Sequence, residues 1–159
     1  MMFSAPLKSK IKIPGSDIAG RVIAVGKDVS RFQPGDEVFG DLSGCGFGAL
    51  AEYVSVPENV LTLKPNNISL EEEAAVPQAA LVALQGLREK GGIQKGQKVL
   101  IYGASGGIGT FAVQIAKYYG AEVTGVCSTA NLEMVHALGA DHVIDYTKED
   151  YSKTGSVMI

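Results

Sequence analysis

The sequence predicts an α/β fold in which an all-β first part gives way to one βαβαβ half of a doubly wound parallel sheet. Three observations carry that prediction. In Lys98–Gly109, KVLIYGASGGIG, a short apolar run rich in β-branched residues meets a glycine turn and then a helix-period stripe. The strand–helix–strand order then continues as far as Tyr146. Before Ile68 the text is different, with short β-rich runs broken by Gly-Lys-Asp and Pro-Gly-Asp turns.

Taken in order, residues 1–13 show no helical or strand period. Asp17–Val25 is β-rich and Gly26-Lys27-Asp28 supplies a turn; Pro34-Gly35-Asp36 is a second turn, leading into a strand at Glu37-Val38-Phe39. Leu42–Leu50 is a loop holding three glycines, Ala51–Val56 alternates as a strand, and Leu61–Leu63 is another short one. This is the pattern of a small barrel. Ser69 with Glu72 forms a capping box that opens a helix, Pro77 interrupts or restarts it, and Gly91-Gly92 stops it. Val99–Ile101 is expected to be a strand buried on both faces. Ile108, Phe111, Ala112, Ile115, Ala116 and Tyr119 line one helical stripe, with Gly120 at the C-cap. Glu122–Cys127, Ala130–Leu138 and His142–Tyr146 complete the strand, helix and strand that follow. Lys148–Gly155 is polar, and Ser156–Ile159 has the apolar character of a further strand's start.

Composition narrows the function classes. A 46% hydrophobic content with 19% charged residues in 159 residues describes an ordinary globular protein with a real core. A net charge of −3 with scattered basic residues gives no footprint for nucleic acid. No apolar run approaches the length of a membrane span, and the start lacks a signal peptide's apolar centre, so a cytoplasmic protein without membrane partners is expected. Cys45 and Cys127 have no metal or redox spacing, and Cys127 is expected as a buried thiol.

The glycine turn is the chemical centre of the sequence. Gly106 and Gly107 would let the backbone approach a pyrophosphate without an intervening Cβ, and Gly109 would let the helix lie tightly on the strand. The free N–H groups and positive end of that helix would then face the phosphates. Candidate cofactor-binding residues are therefore Ala104, Ser105, Gly106, Gly107, Ile108 and Gly109, with Ala104 standing where the dinucleotide fingerprint has its first glycine. The plain alternative is a tight turn with no ligand.

The stretches PGSDIAGRVIAVGKDVSRFQPGDEVFG, GALAEYVSVPEN, KGGIQKGQKVLIYGASGGIGTFAVQIAKYYGAEV and LGADHVIDY closely resemble the medium-chain dehydrogenase/reductases. Within them the chain looks like the zinc-independent quinone oxidoreductase branch, from about Pro14 to Tyr151. The resemblance implies part of a GroES-like β-barrel substrate domain over residues 1–68 and part of a Rossmann dinucleotide-binding domain over residues 69–159. It also implies an activity, NADPH-dependent reduction of a small-molecule quinone or an enone or related carbonyl. Zinc-dependent relatives carry a His-Glu pair where this chain has Ser16-Asp17, and a cysteine ligand near Pro77–Ala80 where it has none. His136 and His142 cannot supply the three ligands of a catalytic zinc at their spacing, so no metal is expected.

Cofactor choice is read at the end of the second strand of the unit, where a carboxylate would bond the ribose of NAD and repel the 2′-phosphate of NADP. Ser128 holds that position, followed by Thr129, and hydroxyls can donate to a phosphate. The helix N-cap is a second role open to both residues. In the family Tyr146 matches a tyrosine near the 2′-phosphate, whereas Ala130 stands where relatives often place a lysine. NADPH is favoured over NADH. Ala80 and Val82 replace a glycine and a threonine common in relatives at the nicotinamide end. No tyrosine is followed four residues later by a lysine, which sets aside the short-chain dehydrogenase reading of the same glycine turn. No catalytic acid can be named. Asp17, Asp41 and Glu52 are expected at turns and solvated edges, and the loop Ser43–Gly48 either borders a substrate cleft or is a surface turn. The family's barrel begins before Met1 and its sheet continues past Ile159. The expectation is part of a longer reductase, with a non-catalytic nucleotide-binding module or an inert fragment as the alternative. An open sheet edge predicts marginal stability and self-association into a homo-oligomer.

Overall fold

The computed structural model describes residues 12–151, so the expectations for residues 1–11 and for a strand start at Ser156–Ile159 lie outside the described residues. The chain divides into two compact units, Met1–Gln78 and Ala79–Ile159. Among the described residues, no helix is long and apolar enough to cross a membrane.

In the first unit β1 (Asp17–Arg21), β2 (Glu37–Asp41) and β3 (Leu61–Leu63) form an antiparallel sheet in the order β1-β2-β3. Arg21 pairs with Glu37 in register, and the Arg21 guanidinium lies 2.8 Å from the Glu37 carboxylate. The β-rich run continuing to Val25 does not extend the strand. The Val22 N–H and C=O are taken by Asp36 and Gly35 of the turn, and beyond them Ile23 and Val25 are exposed with no ladder. Ala51–Val56 likewise forms no strand, contrary to its alternation. Ala51 closes a turn on the Gly48 carbonyl, and Tyr53 and Val54 face solvent. Alternation marks two faces, but a strand also needs a neighbour to take its backbone groups.

The capping box at Ser69 and Glu72 opens α1 (Leu70–Glu73) as expected, with both reciprocal bonds made. Pro77 starts α2 (Pro77–Leu84), and a π-helical turn over Gln85–Lys90 carries it to Gly91.

The second unit contains β4 (Lys98–Tyr102), α3 (Gly107–Tyr118), β5 (Glu122–Cys127), α4 (Leu132–Ala137) and β6 (His142–Asp145). A 3-10 turn at Thr129–Asn131 leads into α4, so the predicted helix from Ala130 begins as a tighter coil. The three strands are parallel, in the order β4-β5-β6. One sheet face, with Val99, Ile101, Val123 and Cys127, packs with Ala112, Val113 and Ala116 of α3 and Val135 of α4. The small residues of α3 allow close approach, and each fully buried valine or leucine contributes about 1.5–3 kcal/mol. Leu100, Val126 and Ile144 form a second buried cluster with Tyr151 packed against it. Gly120 and Gly139 have φ of +77° and +108°, the left-handed conformation in which both helices end. These elements match the predicted α/β class, an antiparallel module followed by one parallel βαβαβ half.

Candidate nucleotide-binding site

The glycine turn is fastened at both ends by backbone bonds. Gly103 and Ala104 both donate to the Val126 carbonyl at 3.0 Å, which draws the turn over the C-terminal end of β5. Gly103 has a φ of +74°, and its carbonyl accepts from Gly106 at 2.9 Å. Gly106 is the N-cap of α3, and Thr110 donates the first intrahelical bond back to it. The N–H groups of Gly107, Ile108 and Gly109 therefore lie in the first turn, ahead of the helix's own acceptors.

The glycines differ in what they make room for. A Cβ on Gly107 would meet nothing within 4 Å, so the space above it is open. A Cβ on Gly109 would clash with the Gly103 carbonyl oxygen and lie 2.8 Å from Ala104 Cα. Gly109 thus lets α3 sit on the turn, while Gly107 leaves the space at the start of α3 open. Gly106 is intermediate, with the Gly103 oxygen 3.3 Å from an added Cβ. Ala104 is fully buried, so its methyl belongs to the core and only its backbone borders that space. Ser105 is half-buried and Ile108 is exposed. The residues present fit a pyrophosphate, because open space, first-turn N–H groups and the positive helix end coincide.

Ser128, Thr129 and Tyr146 stand at the same end of the sheet. The Tyr146 N–H donates to the Cys127 carbonyl, which brings the start of the β6 loop beside Ser128. Ser128 occupies the N-cap of the 3-10 turn, yet its hydroxyl makes no capping bond and accepts from Asn131 Nδ2 at 3.1 Å. Its proton stays available to an anion. Thr129 is different, since its hydroxyl donates to the buried Asp145 carboxylate. A hydroxyl has one proton, so Thr129 cannot also donate to a phosphate without leaving Asp145.

Sequence reasoning missed Asp145, which is buried beside the equally buried Ile144 at the end of β6, so no alternation in HVIDY marked it as inward. Its other oxygen accepts from the Thr147 N–H at 3.0 Å and the Thr147 hydroxyl at 2.6 Å. These bonds, Thr129 first, hold the carboxyl down at about 2. Lys148 Nζ lies 3.5 Å from the same carboxylate. Tyr102 was also missed. Its ring lies 6.2 Å from that of Tyr146 and 5.1 Å from that of Tyr151, both tilted, so three tyrosines line the strand ends.

Of the remaining candidates, Asp41 caps its own loop, accepting from the Ser43 N–H and hydroxyl at 2.8 Å each. Ser43–Gly48 is a turn folded on the Leu42 carbonyl, which accepts from Cys45 and Phe47. Asp17 accepts from the Ser16 hydroxyl with one oxygen and from the Gln78 N–H, at 2.5 Å, with the other, a tie to the start of α2 rather than a solvated edge. Ala80 is half-buried in α2 and Val82 is exposed. His136 is exposed on α4, and His142 on β6 lies 3.4 Å from Glu122. Cys127 is buried, and burial ahead of the Asp145 charge raises its thiol.

Comparison with known proteins adds the relatives. The family model for the alcohol dehydrogenase GroES-like domain matches residues 2–66, and that for zinc-binding dehydrogenases matches residues 107–156. A 2-methylene-furan-3-one reductase of Solanum lycopersicum is 44% identical over 147 residues, covering 87% of this chain and 38% of that protein. A chloroplastic quinone-oxidoreductase homolog of Spinacia oleracea is 45% identical, covering 89% of this chain and 45% of that protein. The chain thus spans less than half the length of these curated relatives. The structure of the quinone oxidoreductase from Coxiella burnetii superposes with a TM-score of 0.81 at 35% identity, over 87% of this chain and 44% of that one.

Proposed function

The chain belongs to the medium-chain dehydrogenase/reductase superfamily and is quinone oxidoreductase-like; from that premise we propose that it is the cofactor-holding part of a zinc-independent reductase that takes NADPH. The substrate in this reading is a quinone or an enone or related carbonyl. Residues 1–68 belong to the substrate module and residues 69–159 to the dinucleotide module.

The observation that carries the reading is the contrast between Gly107 and Gly109. One leaves open space at a helix N-terminus, and the other is required for the packing of that helix on the turn. The N–H groups of Gly107, Ile108 and Gly109 hold the pyrophosphate, with the turn Ala104–Gly106 fixing their direction. Ser128 donates to the 2′-phosphate, Thr129 is steadied by Asp145, and Tyr146 flanks the same group. When bound, the nicotinamide supplies the hydride, while the protein orients it and excludes water. Ser16-Asp17, standing where zinc-dependent relatives carry a His-Glu pair, supports the zinc-independent reading, since a serine brings no imidazole ligand.

A fluorescence titration with NADPH and with NADH tests the proposal. Saturable binding, tighter for NADPH and abolished by Gly107→Asp, is expected. Tighter binding of NADH would overturn the cofactor choice, and no binding of either would overturn the site. Oxidation of NADPH by a quinone or an enone tests turnover, and binding without turnover would identify a nucleotide-binding module instead.

A further inference from the structure

We propose that Lys148 is the cation that receives the cofactor's 2′-phosphate, a specificity role that rests on the nucleotide site proposed above. A phosphate placed beside Ser128 needs a positive partner, because hydroxyls alone do not offset its charge. Ala130 follows the Ser128-Thr129 pair and brings none. Lys95, Lys98 and Lys117 belong to the opposite end of the sheet. Lys95 packs at Gly120, Lys98 begins β4, and Lys117 is bonded to Asp141 and to the Ala121 carbonyl.

Lys148 is at the right end. Its Nζ lies 3.5 Å from Asp145 Oδ2, the atom that accepts the Thr129 hydroxyl, and Thr129 is the residue after Ser128. The Tyr146 bond to Cys127 fixes the loop that carries it. Asp145 does not depend on this lysine, because Thr129 and Thr147 already satisfy both of its oxygens. The lysine side chain is 65% exposed and the Asp145 side chain 5%, so the ammonium sits at the mouth of a buried, satisfied carboxylate. A flexible four-carbon stem allows it to turn toward a phosphate while Asp145 keeps Thr129 in place.

The surrounding charges sharpen the expectation. Asp145 and the exposed Glu149 are both negative and stand beside the same loop. With Lys148 neutralised, a 2′-phosphate would meet these carboxylates without compensation. The effect on a 2′-phosphorylated nucleotide should therefore exceed that on an unphosphorylated one.

The experiment is calorimetric titration of the purified protein and of Lys148→Gln with 2′,5′-ADP and with 5′-ADP. The native protein should prefer 2′,5′-ADP. In K148Q its affinity should fall about tenfold, equivalent to about 1.4 kcal/mol, against less than twofold for 5′-ADP. Lys148→Arg should restore most of the preference, and unchanged thermal midpoints would show that both variants are folded. A native preference that survives intact in K148Q overturns the role of Lys148 and leaves the cofactor reading standing. A native protein that prefers 5′-ADP overturns the NADPH reading and Lys148 with it, and failure to bind either nucleotide overturns the nucleotide site itself.

Discussion

Replacing Gly109 with alanine separates the two roles of the glycine turn. The new methyl would run into the Gly103 carbonyl oxygen and lie 2.8 Å from Ala104 Cα and 2.9 Å from Ala104 C. Carbon atoms in favourable contact sit about 3.5–4.0 Å apart, so α3 and the turn must part by roughly 1 Å. All three obstacles are backbone, which cannot rotate away. The turn is also held by the bonds of Gly103 and Ala104 to Val126, so the strain falls on the buried contact of α3 with the sheet. Overpacking of this kind costs about 1–3 kcal/mol, and rigid obstacles place the substitution near 3. For a chain of this size about 2–4 °C is lost per kcal/mol, which predicts a fall in thermal midpoint of roughly 6–12 °C. Gly107→Ala is the control. Its methyl meets nothing within 4 Å, so stability should change by less than about 1 kcal/mol while NADPH affinity drops. Thermal unfolding followed by circular dichroism reads the first effect, and fluorescence titration reads the second. An unshifted midpoint in G109A, or a loss in G107A as large as in G109A, would refute the reasoning.

Gly40→Ala should disturb the first unit in the same manner, because its Cβ would clash with the Val60 carbonyl oxygen where β2 meets β3; hydrogen exchange should show loss of protection in β2 and β3, and unchanged protection would count against the assigned pairing. Asp145 is held near 2, below its ordinary 3.8, so its contribution is fully present above about pH 4 and is lost as pH falls through about 2. The stability gap between the native protein and Asp145→Asn should therefore close across that window, and a gap independent of pH there would be the wrong result. Glu73 is buried with an unpartnered oxygen, and burial raises its carboxyl above the usual range against the opposing Lys64 charge. The sign is opposite to that of Asp145. Its charged form weakens the fold, so Glu73→Gln should be the more stable protein at pH 7, with the advantage shrinking as the solution is acidified toward about 4.5, as measured by urea unfolding.

The second unit was legible in the sequence because its signals were local and concordant. The apolar run at Val99–Ile101, the stripe from Ile108 to Tyr119 and the glycines at 120 and 139 each settle one element without reference to distant residues. The first unit was less legible. Its strands end where a partner ends, and nothing in Ile23–Val25 or Ala51–Val56 records whether a neighbouring strand is there to accept their backbone groups. The same limit applied to the site. Glycine spacing pointed to the turn before α3 because the fingerprint is contiguous. The bond between Thr129 and Asp145 joins two loops, and only folding reveals which hydroxyl keeps its proton.

The two ends of the parallel sheet divide the work of the unit. At the N-terminal end lie ionic contacts among neighbouring strands and α3. Lys98 and His142 both face Glu122, and Lys117 holds Asp141 at 2.7 Å. Asp141 also accepts from the Val123 N–H, and its carboxyl is lowered by these two donors, Lys117 first. At the C-terminal end the three tyrosines, with Tyr102 between the other two, the Ser128 hydroxyl and the first-turn N–H groups of α3 supply donors and flat surfaces, with the Asp145 charge turned inward. This asymmetry follows from the topology. In a βαβ unit each helix begins after the C-terminal end of a strand, so positive helix ends gather there and an anion is favoured there. Placing these contacts at the far end keeps their carboxylates away from the first turn of α3. A polar staple at that turn would have to be broken to admit a ligand, whereas Lys148, exposed and only loosely held by Asp145, can change partners while the structure around it stays bonded.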